Sequence, residues 1–385
     1  MSFHKRKVTG LLIAVVAVMA GLGTTGAQKG RPGDVIRAEP LPGAPFGSTA
    51  YRVLYRSTGL KGEPVAVSGV VVIPGGPVPP RGRDIVAWAH PTSGVVLRCA
   101  PSLRPGVFGT IPGLHEMLAR GYIVTATDYP GLGTAGPHPY LVGVSEGQAV
   151  LDSVRAVRAF PEASASSRFA VWGHSQGGHA ALYAGQLARR YAPDLQLVGI
   201  AAAAPATELA ALFDADISTV NGKILTAMTL WSWSQVFGAR LDNVVDADVM
   251  ASINRIANTC VESLIDIILL RFAERPLQRT FLKVDDLTKV EPWRSLMAQN
   301  TPRPSSGGAP VFLAQGTADS VVHPAITERY MAALCGHGIP VAFVLMPGVI
   351  HAFAARQSAT AAVAWIADRF NGAPAPSSCS VQRSE

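Results

Sequence analysis

A serine between two glycines is the candidate nucleophile of this sequence. The segment Gly173-His174-Ser175-Gln176-Gly177 lies between an apolar run and a stretch with helical character. A serine on a tight strand-to-helix turn needs neighbours without side chains two positions away on either side, and Gly173 and Gly177 meet that need. The turn would hold the Ser175 hydroxyl at a helix N-terminus, where free amides and the helix dipole favour developing negative charge. The pattern therefore predicts acyl-transfer chemistry at a nucleophile elbow.

This nucleophile needs a base, and the base needs a carboxylate to orient it. On such a turn the three residues follow one another as serine, acid and histidine. Asp319 follows a predicted strand and His351 follows the last one. Both are expected where the carboxyl ends of parallel strands meet, so we predict Ser175, Asp319 and His351 as the catalytic residues. The alternatives are two other carboxylates and one other histidine: Asp285, Asp286 and His323.

The negative charge that forms on the carbonyl oxygen needs two backbone donors. One is expected from the amide of Gln176, directly after the nucleophile. The other is expected from the turn at residues 90–94. Pro91 has no amide to donate, so Thr92 is best placed, with Ser93 as the alternative. We therefore predict that Gln176 and Thr92 form the oxyanion hole.

The elements that must position these residues alternate between strand and helix. The alternating segment 51–73 predicts an antiparallel hairpin. Nearly continuous apolar strands follow, at 84–90, 121–128, 168–172 and 197–204. Such strands, separated by helices, predict a mostly parallel α/β sheet with helices on both faces. The alternation gives way to several helices between 208 and 300 and returns at 310, which predicts a helical insertion.

Basic residues, an apolar run too short to span a bilayer and a stretch of small residues begin the sequence. This order predicts a secretory signal, with an uncleaved N-terminal anchor as the alternative. The predicted organisation is a signal peptide at 1–27, a linker or arm at 28–50, core at 51–206, a helical cap at 207–305, core at 306–372 and a tail at 373–385. We expect the mature chain to be secreted.

Composition and motifs argue against several kinds of protein. The 385 residues are 48% hydrophobic and 15% charged, which excludes a disordered or collagen-like chain. The net charge of +7 is not concentrated in a basic cluster with interleaved aromatics, so we predict no nucleic-acid partner. Residues 131–136 match a dinucleotide fingerprint, but Pro137 and Pro139 stand where its helix would begin. We predict no cofactor and, because CxxC and HExxH are absent, no metal site.

Several motifs resemble the secretory lipase family of α/β-hydrolases. They are Asp128-Tyr-Pro-Gly-Leu-Gly-Thr134, His138-Pro-Tyr-Leu141, Leu151-Asp-Ser-Val-Arg-Ala156 and Gly173-His-Ser-Gln-Gly-Gly178, together with Asp319 and His351. The resemblance extends from about residue 50 to residue 370. It implies the α/β-hydrolase fold, the same catalytic triad, and a cap over an acyl-binding tunnel. It also implies cleavage of acyl esters, triacylglycerols among them.

Four cysteines in an exported chain allow three disulfide pairings, and their spacing does not choose among them. The resemblance implies that Cys99 pairs with Cys260 and, with it, that Cys335 pairs with Cys379. Together the residues and the resemblance predict a secreted serine ester hydrolase whose partner is an acyl ester or lipid, with a lipid–water interface as a candidate place of action. The alternatives are an acyltransferase or peptidase on the same fold and a non-catalytic lipid-binding protein.

Overall fold

The computed structural model describes residues 30–45, 47–261 and 264–379. The predicted signal peptide at 1–27 lies outside the described residues, as do the last six residues of the predicted tail.

Within the described residues, nine strands form one sheet in the spatial order β1-β2-β3-β5-β4-β6-β7-β8-β9. Their bounds are β1 Val35–Pro40, β2 Thr49–Thr58, β3 Pro64–Ile73, β4 Arg83–Ala89, β5 Ile123–Thr127, β6 Ala165–His174, β7 Gln196–Ala203, β8 Val311–Gly316 and β9 Val341–Met346. Strands β1, β2 and β3 pair antiparallel with one another, and β3 pairs antiparallel with β5. All pairs from β5 to β9 are parallel, so the mostly parallel sheet and its hairpin match the prediction.

Ten α-helices accompany the sheet in the part of the chain that the structure describes. They are α1 Leu114–Ala119, α2 Gly143–Val157, α3 Gln176–Tyr191, α4 Leu209–Asp216, α5 Val220–Phe237, α6 Ala247–Ala257, α7 Leu264–Glu274, α8 Trp293–Asn300, α9 Pro324–Gly336 and α10 Ala354–Phe370. Helices α2, α3 and α9 share one apolar core with the sheet, whereas α1 and α10 contribute to the other. The sheet is therefore covered on both faces, as the α/β-hydrolase fold requires.

The central strands are continuously apolar because both of their faces are buried. In β6, Phe169 and Val171 belong to the core that contains α2 and α3, and Ala170 and Trp172 belong to the core that contains α10. Trp88 of β4 lies beside Trp172, with ring centroids 5.6 Å apart. Successive side chains of a strand point to opposite faces of the sheet. A strand that is buried on both faces therefore has apolar residues at successive positions and not at alternate ones.

Part of the predicted arm at 28–50 is instead strand β1, which pairs antiparallel with β2 at the edge of the sheet. Five of its six residues are exposed and it ends at Pro40. An exposed edge strand buries neither face, so its sequence lacks the apolar alternation by which strands are recognised. Residues 35–40 of the predicted linker or arm are therefore an extended edge strand that the sequence pattern does not reveal.

Helices α4 to α8 lie between β7 and β8, in the interval where the cap is predicted. None of the helices in the described ranges is long and apolar enough to cross a membrane. The structure contains the two disulfide bonds that the family resemblance implies, Cys99–Cys260 and Cys335–Cys379. The first joins the segment after β4 to the segment before α7, so it fastens the helical insertion to the sheet.

Replacing both Cys99 and Cys260 by serine should lower the free energy of unfolding by roughly 2–5 kcal/mol, because their bond closes a long loop in the unfolded chain. The two residues are 161 positions apart, against 44 for Cys335 and Cys379. Guanidinium unfolding without reductant would measure the change, and the Cys335→Ser/Cys379→Ser variant should lose less. An unchanged midpoint for the Cys99→Ser/Cys260→Ser variant would contradict the expectation.

Candidate active site

Ser175 occupies a strained bend between β6 and α3. Its φ of 55° and ψ of −116° lie in a region that residues with a side chain rarely adopt. Its amide donates to the carbonyl of Ala203 at 3.0 Å, and its own carbonyl accepts from the amides of His179 and Ala206. Contacts from β7 and from α3 therefore hold the bend in place.

The two glycines of the bend are required by close backbone contacts. A Cβ atom on Gly173 would lie 2.0 Å from the carbonyl oxygen of Gly177. A Cβ atom on Gly177 would lie 1.8 Å from the carbonyl oxygen of Ala89, in β4. Neither distance is compatible with a side chain, so α3 can begin this close to the sheet only with glycine at both positions.

The structure brings the three predicted catalytic residues into one hydrogen-bonded chain. His351 Nε2 lies 2.8 Å from Ser175 Oγ, and His351 Nδ1 lies 2.8 Å from Asp319 Oδ2. Because Nδ1 faces a carboxylate, it carries the ring proton of the neutral imidazole, and Nε2 is left to accept the serine proton. The three residues come from the ends of β6, β8 and β9, which meet at one edge of the sheet.

Asp319 is buried, at 3% exposure, and surrounded by donors. Its Oδ1 accepts from the amides of Val321 at 2.9 Å and Val322 at 2.8 Å, and its Oδ2 accepts from Gln315 as well as from His351. Burial favours the neutral carboxyl, but the hydrogen bonds from His351 and from the two amides outweigh it and lower the pKa of Asp319. The carboxylate is thus charged at neutral pH, as a partner of a developing imidazolium must be.

His174 positions the backbone of His351, a role that the sequence analysis did not identify. Its Nε2 donates to the carbonyl oxygen of His351 at 3.0 Å, and the two rings lie 5.0 Å apart. Burial, and then the neighbouring His351, lower the pKa of His174 to about 3, so the ring is neutral. The position of His174 inside the Gly173–Gly177 motif is the feature of the sequence that could have indicated this role.

The alternative acids and base lie elsewhere. Asp286 accepts from the amide of Thr288 at 2.8 Å and pairs with Lys289, and Asp285 precedes it in the same loop. His323 directly precedes α9 as its N-cap residue. Ser175 Oγ bonds to His351, so the structure does not bring these alternatives into the hydrogen-bonded chain.

The two predicted oxyanion donors flank Ser175. Gln176 is the first residue of α3, and Thr92 lines the same cavity as Ser175 and His351. Thr92 Oγ1 lies 2.8 Å from the hydroxyl of Tyr140. The alternative residue, Ser93, does not line this cavity, and its carbonyl accepts from the amide of Val261 in the helical insertion. The surroundings therefore favour Thr92 over Ser93.

A buried polar network fixes the side chain of Gln176. Gln176 Nε2 donates to Glu146 Oε1 at 2.8 Å and to His138 Nε2 at 2.9 Å. His138 Nδ1 donates to the carbonyl oxygen of Pro130 while its Nε2 accepts from Gln176, so the ring is neutral. Burial lowers the pKa of His138 to about 4. Glu146 is fully buried and also accepts from the amide of Leu141. The hydrogen bonds of its side chain thus hold Gln176, the residue after Ser175, in place.

His179 completes this network as the partner of Glu146. Its Nδ1 lies 2.8 Å from Glu146 Oε2, and its Nε2 lies 2.8 Å from the carbonyl oxygen of Asn300. Both ring nitrogens of His179 and both carboxyl oxygens of Glu146 therefore have hydrogen-bond partners. Sequence patterns do not reveal this pair, because its members lie on different helices.

Two cavities open beside Ser175. The larger has a volume of about 550 Å³, and the smaller has a volume of about 40 Å³. Side chains from α5 and α7 line the larger one, and side chains from α4 and α5 line the smaller one. Most of the lining is aliphatic or aromatic, so the site suits an apolar molecule.

Replacing Gly177 with alanine should destroy the bend, because its Cβ would overlap the carbonyl of Ala89. Overpacking of this kind typically costs about 1–3 kcal/mol, which denaturant unfolding would measure. Gly336 at the end of α9 is the matched control, since an added Cβ there meets nothing within 4 Å. Equal stability of Gly177→Ala and Gly336→Ala would contradict the close contact.

The stability of the fold should fall between pH 7 and pH 5. In the unfolded chain His138 and His174 titrate near 6.5, whereas their pKa values in the fold are about 4 and about 3. The unfolded state therefore binds more protons in this range, and each ring removes roughly 2 kcal/mol of stability by pH 5. The side-chain amide of Asn in His138→Asn can replace the Nδ1 donor but does not titrate. The loss of unfolding free energy between pH 7 and pH 5, measured by urea unfolding, should therefore be smaller in this variant by roughly 2 kcal/mol. An equal loss in both proteins would contradict the buried neutral ring.

Comparisons with known proteins identify the family of this chain. Residues 112–378 match the family model described as Secretory lipase. Lipase A of Moesziomyces aphidis is 30% identical over 43% of this chain and 38% of its own length. Probable inactive lipase MT1628 of Mycobacterium tuberculosis is 28% identical over 53% of this chain and 47% of its own length. The chain thus spans less than half the length of these two relatives.

The X-ray structure of Candida antarctica lipase A is similar in fold. Its TM-score is 0.76 at 20% identity, covering 91% of this chain and 84% of that one. At this identity the likeness shows the fold alone. The family model, however, covers more than two thirds of the sequence, and its range contains all three members of the hydrogen-bonded chain. This chain therefore belongs to the secretory lipase family.

Proposed function

We propose that this chain is an exported serine ester hydrolase in which Ser175, His351 and Asp319 form the catalytic triad. The observation that carries the proposal is the hydrogen-bonded chain from the serine hydroxyl through the imidazole to the ionised carboxylate. The secretory lipase family and its lipase relatives support ester hydrolysis of the lipase type.

The chemistry follows from the positions of the protons. Ser175 Oγ attacks the ester carbonyl carbon while His351 Nε2 accepts the hydroxyl proton. The resulting imidazolium is stabilised by Asp319, and Nε2 then returns the proton to the leaving alcohol oxygen as the C–O bond breaks. Water hydrolyses the acyl-enzyme by the same steps, which releases the acid and restores the serine.

The tetrahedral intermediate carries a negative charge on the former carbonyl oxygen. In the proposed reaction the amides of Gln176 and Thr92 donate to this oxygen. The Gln176 amide is one of the free donors at the N-terminus of α3, where the helix dipole favours an anion. The Glu146 and His138 contacts hold this residue before substrate binds, so no reorganisation is needed. All of these groups belong to the chain, so the proposed chemistry needs no cofactor or metal.

The proposed substrates are acyl esters, triacylglycerols included. The 550 Å³ cavity has room for such a molecule, and the aliphatic side chains of Ile224, Leu225 and Leu270 line it. Helix α7 also presents apolar side chains to solvent close to this cavity: Ile267, Ile268, Leu269 and Phe272 are each about half exposed. An apolar face beside the active site supports action at a lipid–water interface.

The proposed location is outside the inner membrane, after export through the signal at 1–27. The two disulfide bonds support this proposal, because such bonds persist in oxidising compartments. The description of the family as secretory and the basic and apolar residues at the start of the sequence agree with it.

Reaction with a fluorophosphonate tests the proposed function and separates it from non-catalytic lipid binding, the alternative that the relative named as an inactive lipase raises. Wild type should be labelled, and Ser175→Ala should not. Hydrolysis of 4-nitrophenyl acetate should fall on the order of 10⁶-fold in Ser175→Ala, as for nucleophile removal in other serine hydrolases.

Ser320→Ala is the matched control, because Ser320 lines the same cavity but lies outside the hydrogen-bonded chain. This variant should keep its labelling. Folded wild type that is neither labelled nor active, or Ser175→Ala that still hydrolyses the ester, would refute the triad and favour a binding protein.

A further inference from the structure

The two cavities beside Ser175 differ in size and in the residues that line them. Ser175, Leu225 and Val321 line both. His351 lines only the larger cavity, of about 550 Å³. Gln176 lines only the smaller one, of about 40 Å³. An ester bound at Ser175 must therefore direct its two arms into unequal spaces.

The path of the proton from His351 determines which arm of the ester enters which cavity. His351 Nε2 delivers the proton to the alcohol oxygen, so that oxygen must lie within hydrogen-bond reach of the ring. Only the larger cavity is lined by His351. The alcohol arm therefore occupies the larger cavity, and the acyl arm is directed away from the imidazole, past Gln176, into the smaller one.

Packed side chains of the core form much of the wall of the smaller cavity. Leu209, Leu212 and Phe213 of α4 line it, and each is at most 7% exposed. Phe213 lies beside the buried ring of Trp233, with centroids 6.3 Å apart. On the opposite side Tyr140 lines the cavity at 2% exposure. Extending the cavity would require displacing packed core residues.

The volume of the smaller cavity sets the length of the acyl group. At about 40 Å³ this cavity is less than a tenth of the size of the larger one, of about 550 Å³. We propose that the enzyme selects esters of short acids and accepts a large alcohol. The inference rests on the proposed triad and narrows its substrates to this class, with Phe213 as the residue that limits acyl length.

Two isomeric esters test the direction of binding. Octyl acetate and ethyl octanoate have the same atoms, and only the arm that carries the eight-carbon chain differs. We expect wild type to hydrolyse octyl acetate with at least about tenfold higher kcat/KM, because the long arm fits only the larger cavity. A higher kcat/KM for ethyl octanoate would overturn the inference.

A series of 4-nitrophenyl esters tests the length limit with the alcohol held constant. Each methylene that fits should raise kcat/KM roughly fourfold, and the rise should stop and reverse before octanoate. Continued increase to octanoate or beyond would overturn the limit.

Phe213→Ala tests which residue sets this limit. Removing the ring should lengthen the preferred acyl chain and raise the ratio of ethyl octanoate to octyl acetate hydrolysis at least tenfold. Phe237→Ala, a partly exposed phenylalanine of α5 that lines neither cavity, should leave the ratio unchanged. If Phe213→Ala does not fold, Ala206→Val narrows the same cavity instead and should depress butyrate relative to acetate. A folded variant of either residue with the wild-type profile would overturn the assignment.

The outcomes for this inference and for the proposed function differ. Loss of all hydrolysis in Ser175→Ala, together with a preference for long acyl chains in wild type, would overturn the short acyl pocket and leave the triad standing. Wild type that hydrolyses neither isomer nor 4-nitrophenyl acetate would overturn the triad, and the inference with it.

Discussion

The left-handed bend at Ser175 is the constraint on which the rest of the site depends. A side chain at φ 55° is unfavourable by itself, so surrounding contacts must hold it. Here β6 is paired on both sides by parallel strands, and the amide of Ser175 bonds to β7 beyond the end of the strand. Helix α3 then starts against β4, at a distance that only Gly177 allows. The same bend presents the hydroxyl of Ser175 and places Gln176 at the first position of α3, so a single feature positions the proposed nucleophile and one proposed oxyanion donor.

A second constraint is the buried polar pair of Glu146 and His179. A buried polar pair is tolerated only where its remaining hydrogen-bonding atoms also have partners. Both oxygens of Glu146 and both ring nitrogens of His179 do, and the partners come from α3, α8 and the segment before α2. The pair therefore fastens several elements to Gln176. Ser232 of α5 joins the same cluster by donating to the carbonyl of His138, so the helical insertion is bonded to the oxyanion side of the site.

Much of the sheet and the positions of the candidate catalytic residues could be predicted from the sequence. Strands buried on both faces are continuously apolar, and the spacing of Gly173, Ser175 and Gly177 has a steric cause, so both are visible in the residues themselves. Strand β1 could not be predicted, because an exposed edge strand lacks an apolar pattern. The Glu146–His179 pair could not be predicted either, since a buried polar residue on an apolar helix reveals nothing about its partner on another helix. The sequence shows only that Glu146 and His179 interrupt otherwise apolar stretches.

The proposed catalytic residues and most of the residues that line the cavities belong to different parts of the chain. Ser175, Asp319 and His351 follow strands of the sheet, whereas α4, α5 and α7 of the insertion line the two cavities. The insertion is bonded to the sheet through Cys99–Cys260 and through the bond from Val261 to Ser93, next to the predicted oxyanion residue Thr92. Substitutions in α4 or α7 can therefore change either cavity without moving the hydrogen-bonded chain. Because α4 lines only the smaller cavity and α7 only the larger one, the proposed binding mode lets the acyl and alcohol arms be selected independently.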